Sequence, residues 1–511
     1  MMMMMGKLSR LSHLFVTVFL YCFSSVMVVP AITDVTMAAI CPGQDECSLA
    51  IYLSGIQHAI IGLGSLVIMP LVGNLSDKYG RKVMLTVPMT LHIFPLAILA
   101  YSRTTEYYYV YYVLRTMISM ITEGSVQCLA LAYVADNVAE SQRVSVFGIL
   151  SGIASCAFVC GNLTARFLPT SATFQFAAAG NVVALVYMRA FLPDSTIENV
   201  STSTAKPDTV TETDSLLEKA PQKALKLFKR LPSFRDTASL LGTSHTFSQA
   251  AMITFFSTVA EVGAQSSLLY YLKAQFHFDK DQFADLMIIS GISGTVSQLL
   301  LMPILAPLLG EMKLLSVGLF FSFVHVYSWF ILIISLTTLM NFLYEFKRDL
   351  SDQKFVSSNS CCCTALLGHL GYLSPFFLVD LTKSTLVLLH KSDVFFNLQV
   401  PYAAALISIV AIFAMPCLRS IASKEIGPTE QGKAQGCLTG ICSFAHVISP
   451  LAFSPLSAWF LSDSAPFRFP GFSIMVAAFA GMIAFGLSLM INKAEPMTCC
   501  SSADYPFSVE P

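Results

Sequence analysis

The stretch Gly73-Asn-Leu-Ser-Asp-Lys-Tyr-Gly-Arg-Lys82 lies between the second and third of the long apolar runs in the chain. Its length suits a tight turn between two membrane-crossing helices. Gly73 lets two helices approach closely, and Gly80 permits a backbone angle that other residues avoid. Asp77 can pair with Arg81 or cap a helix N-terminus. The spacing of glycine, aspartate and basic residues is too specific for a generic charged loop.

The composition around this turn is that of a helical membrane protein. Of 511 residues, 55% are hydrophobic and 12% charged, against about 25% charged in an average soluble domain. This excludes a secreted disulfide scaffold and a disordered chain. With 30 Lys and Arg against 31 Asp and Glu, no excess positive charge favours binding to nucleic acid.

Apolar runs long enough to cross a bilayer, about 20 residues each, come in two groups of six. They are Leu11 to Ile32, Ile51 to Val72, Val83 to Tyr101, Tyr107 to Val134, Val144 to Ala165, Phe174 to Leu192, Phe247 to Tyr271, Phe283 to Leu309, Leu314 to Leu336, Val400 to Leu418, Ala434 to Leu461 and Gly471 to Ile491.

The polar segments between these runs divide the chain. We expect an N-terminal six-helix half at 1–192, a cytosolic linker at 193–240, a C-terminal half at 241–491 and a cytosolic tail at 492–511. The Ser-, Thr- and Pro-rich linker ends in Lys223-Ala-Leu-Lys-Leu-Phe-Lys-Arg230, whose spacing favours an amphipathic surface helix. A solvated basic loop is the alternative.

The Lys and Arg residues predict the orientation of the chain. With the N-terminus placed in the cytosol and residues 337–399 left out, the segments between spans carry eighteen Lys and Arg residues on the cytosolic side and five on the other side. Cytoplasmic loops carry the excess of Lys and Arg, so both termini are expected in the cytosol. Plasma membrane, vacuole and other endomembranes all remain open.

The turn at residues 73–82 resembles the signature of the major facilitator superfamily. Met69-Pro-Leu-Val-Gly-Asn-Leu75 is echoed by Met302-Pro-Ile-Leu-Ala-Pro-Leu308 at the matching place in the second half. Further stretches resemble the tetracycline-resistance-like branch and the plant relatives of hippocampus-abundant-transcript proteins. They are Val29-Pro-Ala-Ile-Thr-Asp34, Ala132-Tyr-Val-Ala-Asp136, Val146-Phe-Gly148, Glu261-Val-Gly-Ala-Gln-Ser-Ser267 and Glu430-Gln-Gly-Lys-Ala-Gln-Gly436.

This resemblance implies an all-α fold of 12 transmembrane helices in two six-helix halves. It also implies alternating access around one substrate site between the halves near the bilayer midplane. The residues expected to govern that conformational change are those of the turn, namely Gly73, Asp77, Gly80, Arg81 and Lys82. The antiporter signature of the superfamily is incomplete, because Gly161 is followed by Asn162 rather than proline.

Polar residues inside the apolar runs are the substrate and coupling candidates, since a charge at a helix centre costs about 2.5–3.5 kcal/mol. Arg115, Glu123 and Gln127 lie on one slanted stripe of the fourth run, and Arg115 resembles an arginine that the superfamily carries in this helix. Glu261 and Gln265 share a face of the seventh run, and His58 lies in the second. For each residue the alternative is a structural hydrogen bond or ion pair. These candidates are Arg115, Glu123, Gln127, Glu261, Gln265 and His58.

The chain lacks a GxxxxGK[ST] phosphate-binding loop, and no nucleophile–base or metal-ligand spacing appears. We therefore expect no enzyme activity, no cofactor and no metal. The expected function is secondary active or facilitative transport of a small molecule by a monomer embedded in the lipid bilayer. Coupling to protons is left open. The alternative is a transport-inactive receptor or scaffold on the same fold.

Cys41 and Cys47 flank a polar stretch, Cys-Pro-Gly-Gln-Asp-Glu-Cys, and are either a disulfide pair or two free thiols. No nearby CxxC pairs suggest zinc.

Residues near 331–399 are predicted to be an insertion. Met69 and Met302 lie 233 residues apart, whereas Arg143 and Lys433 lie 290 apart, so the second half carries 57 extra residues. The segment is rich in Phe, Leu, Ser and Cys, as a T-rich intron read in frame would be. We expect it to lie outside the helical bundle and to be absent from the main transcript.

Overall fold

The computed structural model describes residues 2–42, 48–193, 241–242, 244–276, 280–327, 408–461, 465–466, 469 and 471–491. Within these ranges, nine segments are long and apolar enough to cross a membrane. They coincide with predicted spans one to six, eight, eleven and twelve. The described parts of spans seven, nine and ten are also helical, apart from a turn at residues 412–413 in span ten. The chain is an all-α, multi-pass integral membrane protein, as the composition predicted.

The N-terminal half consists of helices that run up and down in sequence. They are α1 (Met2–Val26), α2 (Val28–Ile40), α3 (Ser48–Tyr79), α4 (Arg81–Tyr101), α5 (Thr105–Thr122), α6 (Ser125–Asn137), α7 (Arg143–Phe167) and α8 (Thr170–Phe191). Helices α5 and α6 form one span that is interrupted at Gly124, whose φ of 81° few other residues adopt.

The C-terminal half repeats this order. Its helices are α9 (His245–Phe276), α10 (Lys280–Val296), α11 (Met302–Leu309), α12 (311–327), α13 (Ala414–Lys424), α14 (Gln431–Leu461) and α15 (Phe472–Ile491). A π-helical turn, Ser297–Leu301, joins α10 to α11. A 3₁₀ turn precedes both α7 and α14, at Glu140–Gln142 and Pro428–Glu430.

The two halves meet along α3 against α14 and along α7 against the α10–α11 span. Small residues allow this close approach. A Cβ on Gly73 would overlap the carbonyl oxygen of Gly432, and one on Gly436 would crowd that of Met69. On the other interface, Gly152 packs against Leu299.

Large apolar side chains remain exposed on the outside of the bundle, for example Val83, Val87 and Phe94 along α4. Such a surface suits lipid, because lipid tails are as apolar as the side chains.

Several predicted features lie wholly or mostly outside the described residues. They are the linker at 193–240, the insertion near 331–399, the tail at 492–511 and Cys47. Cys41 itself is disulfide-bonded.

Candidate functional site

A cavity of about 550 Å³ lies at the contact of the two halves, on the side of the C-terminal half. It is lined by the middle of α7 from the N-terminal half and by α9, α10, α12, α13 and α15 from the other. Ligand pockets usually measure about 300–1,000 Å³. The cavity is therefore large enough for a small organic molecule.

Glu261 is the acidic residue among the described lining. It follows His245 by sixteen residues and precedes Phe276 by fifteen, so it stands at the middle of α9. The side chain is exposed into the cavity and forms no hydrogen bond or ion pair with a described residue. Its charge is thus available to a molecule in the cavity.

His446 of α14 is the histidine that interacts electrostatically with the Glu261 carboxylate. Its Nδ1 lies 2.7 Å from the carbonyl oxygen of Cys442. A carbonyl oxygen only accepts hydrogen bonds, so Nδ1 carries the hydrogen and Nε2 is an acceptor in the neutral ring.

The remaining polar lining comes mainly from glutamine and serine. Gln265 lies one turn beyond Glu261, and within the described residues its Nε2 donates a hydrogen bond to the sulfur of Met287, at 3.9 Å. Ser155 of α7 donates to Oε1 of Gln298, at 3.2 Å, which joins the two halves across the cavity. Gln298 lies in the π-helical turn, a feature found frequently at functional sites.

Glu261 and Gln265 are the predicted candidates that line this cavity. Sequence reasoning missed Ser155, Gln298 and His325, which also line it. The available signal was a polar side chain inside an apolar run, and Gln298 gave that signal in span eight.

The other candidates lie elsewhere among the described residues. Arg115 donates a 2.5 Å hydrogen bond to the hydroxyl of Tyr111 one turn away, and its guanidinium lies 5.7 Å from the centre of that ring. Glu123 is exposed at the interruption between α5 and α6, and Gln127 is half-buried on α6.

His58 is exposed on α3, and its Nδ1 is hydrogen-bonded to the carbonyl oxygen of Ser54, at 2.8 Å. None of these four side chains lines the cavity described here.

The turn at residues 73–82 lies at one end of the bundle, which we call the motif end. Here Asp77 forms both predicted interactions, an ion pair with Arg81 and a cap on a helix N-terminus. It pairs with Arg81 at 2.5 Å, and its two oxygens accept hydrogen bonds from the backbone N–H groups of Gly432 and Lys433, at 2.9 and 3.0 Å. These N–H groups belong to the first turn of α14, where no helical partner is available. One carboxylate thus links the two halves.

Arg81 holds the turn together within the N-terminal half. Its Nε donates to Asp136 at the end of α6, at 2.8 Å, and its Nη1 donates to Ser76. Gly80 has a φ of 88° and lets α4 begin directly after α3. Lys82 is half-exposed and makes no ion pair with a described residue.

A second polar contact joins the halves at the motif end. Arg143, at the start of α7, donates from Nη1 to the carbonyl oxygen and the hydroxyl of Ser423, both at 3.2 Å. Gln431 fixes Ser423 by donating to the same carbonyl oxygen at 2.8 Å. The contacts of Asp77 and Arg143 across the halves are both polar, so water can take the place of each partner when the halves separate.

The C-terminal half contains the counterpart of the Arg81–Asp136 pair with its charges reversed. Gly310, with a φ of 77°, takes the place of Gly80. Glu311 then follows, and it pairs with Lys424 of α13 at 2.6 Å. Ser420 also donates to Glu311, at 2.9 Å. The fold therefore keeps the ion pair although the sequence echo of the motif has decayed there.

Within the described ranges, no three His, Cys, Asp or Glu side chains form a group that could hold a metal ion.

Comparison with known proteins gives consistent matches. The family model for the Major Facilitator Superfamily matches residues 14–346. Hippocampus abundant transcript-like protein 1 from Homo sapiens is 25% identical over 286 residues, 54% of this chain and 51% of that protein. The chain thus spans about half the length of that relative. Tetracycline resistance protein, class E, from Escherichia coli is 22% identical over 78% of this chain and 77% of its own.

Two solved structures share the fold. The human organic anion transporter MFSD10 (TETRAN) superposes with a TM-score of 0.63 at 16% identity, covering 94% of this chain and 99% of its own. A bacterial homologue of the iron transporter ferroportin, in an outward-facing state, gives a TM-score of 0.58 at 11% identity, covering 95% and 100%.

Proposed function

The chain belongs to the major facilitator superfamily of transporters, and from that premise we propose that it carries a small organic molecule across a membrane by alternating access. The two units that move relative to each other are the halves at 1–192 and 241–491, connected by a cytosolic linker. The name of one relative, a tetracycline resistance protein, supports a small organic molecule as the substrate class.

The observation that carries this proposal is the Asp77 carboxylate bound to the N-terminus of α14 across the two halves. Alternating access needs contacts that close one end of the cavity and can be released. Asp77 and Arg143 supply such contacts at the motif end, while Glu261 lies far from that end, near the middle of its helix. If the motif end is cytosolic, these contacts close the cytosolic side of the cavity.

Proton coupling is the finer part of the proposal. Glu261 lines the cavity, and its carboxyl is a group that can exchange a proton there. A carboxyl near the midplane that binds a proton and a substrate in turn would couple the movement of protons to the movement of substrate. The other candidates do not line the cavity and remain predicted contributors to transport. They are Arg115, Glu123, Gln127 and His58.

The decisive experiment is solute flux into proteoliposomes that contain the purified full chain. Accumulation driven by an imposed pH gradient and abolished by a protonophore supports proton-coupled transport. Equilibration that ignores the gradient supports facilitated diffusion. No flux of any solute above that of protein-free vesicles, from protein that stays folded, favours the receptor or scaffold alternative and refutes the transport proposal.

A further inference from the structure

The charged side chains that line the cavity are of one sign among the described residues. Glu261 is the charged side chain among its described lining, and neither lysine nor arginine lines it there. Arg419 of α13 is bound to Gln435 and Thr439 of α14, at 3.1 and 3.3 Å, and lies outside the cavity. The rest of the lining is hydroxyl, amide, His325 and apolar side chains; the apolar ones include Phe158, Leu268, Leu286, Met287, Ile412 and Met415.

A lone carboxylate in this position favours a positive occupant. A charge inside a membrane span is costly, and such residues pair with one another or with backbone carbonyls and mark the pathways of substrates. Glu261 forms no ion pair with a described residue. An anion entering the cavity would meet this carboxylate without a lysine or arginine in the described lining to offset it, whereas a monocation would neutralise it.

We propose that this cavity binds a small organic cation with apolar substituents and that Glu261 is its counter-ion. The inference rests on the proposed transport function for its meaning but concerns a different property, the charge of the ligand.

The other lining groups fit the same ligand. Phe158 lines the cavity from α7, and aromatic rings attract organic cations. The side-chain oxygen of Gln265 can accept a hydrogen bond from a protonated amine. Apolar walls on α10 and α13 would cover the substituents.

The test uses two probes that match in size and shape and differ in sign, tetraphenylphosphonium and tetraphenylborate. Binding of each radiolabelled ion to the purified full-length protein is measured at equilibrium. Labelling of Glu261 by dicyclohexylcarbodiimide, which modifies carboxyl groups in apolar sites, is followed by mass spectrometry.

We expect saturable binding of the phosphonium and none of the borate. The phosphonium should protect Glu261 from the carbodiimide, and Glu261→Gln should weaken its binding by at least roughly tenfold. Glu106→Gln is the matched control, because Glu106 is an exposed carboxylate at the first turn of α5. It should bind the phosphonium normally. Glu261→Asp keeps the charge and should retain part of the affinity.

The outcomes separate this inference from the transport proposal. Equal binding of both ions, no binding of the phosphonium, or no protection of Glu261 in the unmodified protein overturns the cation site. Flux of an anionic or neutral solute that survives Glu261→Gln also overturns it and leaves transport standing. Phosphonium binding that depends on Glu261, in protein without measurable flux, supports the cation site and counts against transport.

Discussion

Replacing Asp77 by asparagine should open the motif end without unfolding the turn. The Asp77 and Arg81 side chains are only 9% and 4% exposed, so solvent screens their interactions little. Asparagine keeps one acceptor oxygen and loses the charge. It cannot satisfy the N–H groups of both Gly432 and Lys433 and also pair with Arg81. Asp136 keeps its own ion pair with Arg81, and the turn should therefore persist.

The size of the effect follows from the bonds that are lost. A hydrogen bond to a charged group contributes about 1.5–3 kcal/mol, and a carboxylate at a helix N-terminus about 0.3–2 kcal/mol. These contributions overlap, because the same N–H groups supply both. A net loss of about 2 kcal/mol from the closed form lowers the ratio of closed to open molecules by about 30-fold.

Hydrogen–deuterium exchange of the full chain in lipid nanodiscs measures this ratio directly. The amides of Gly432 and Lys433 lie in the first helical turn, where Asp77 is their acceptor. We expect their exchange to accelerate by about 30-fold in Asp77→Asn. Lys78→Gln is the control, since Lys78 is exposed on the same turn and bonded to no described residue. In Lys78→Gln, the Gly432 and Lys433 amides should exchange at the same rate as in the unmodified chain.

Substrate binding completes the test. Asp77 lies at the motif end and not in the cavity, so intrinsic affinity should stay close to normal while turnover falls. Unchanged exchange at Gly432 and Lys433 in Asp77→Asn would refute the inter-half contact as a closing device. A large loss of affinity with normal exchange would show instead that Asp77 acts in binding.

Three further changes test other parts of the molecule. Arg115→Gln should reach the membrane yet lower uptake at least roughly tenfold, because an intramembrane arginine is retained at high cost; normal uptake at equal surface expression would contradict this. Gly73→Ala should destabilise the protein by about 1–3 kcal/mol, because the new methyl group overlaps the facing backbone. Gly55→Ala on the same helix is the control, since a Cβ there meets nothing within 4 Å. Thermal unfolding of both variants measures the difference. Glu311→Lys should lower thermal stability by placing two ammonium groups together, and the added change Lys424→Glu should restore it with a coupling of roughly 0.5–3 kcal/mol; equal stability of the single and double variants would exclude a working ion pair.

The sequence by itself determined the class of the protein and most of its helices. Each span must satisfy its own backbone hydrogen bonds in lipid, so a local apolar run is enough to predict it. The conformational demand predicted at Gly80 is also local, and this glycine adopts a positive φ. The same reasoning identified Glu261 and Gln265, because a polar side chain in an apolar run is costly wherever the helix finally packs.

Only the tertiary structure decided which groups meet. Asp77 reaches amides 355 and 356 positions away, and Ser155 meets Gln298 across 143 positions, distances over which sequence spacing carries no information. The reversed pair Glu311–Lys424 was equally hidden, since the motif there had lost its residues while the helices kept their places. Arg115 and Glu261 are both intramembrane charges in the sequence. Arg115 finds its tyrosine partner one turn away on its own helix, whereas only the packing of α9 against its neighbours places Glu261 at a cavity.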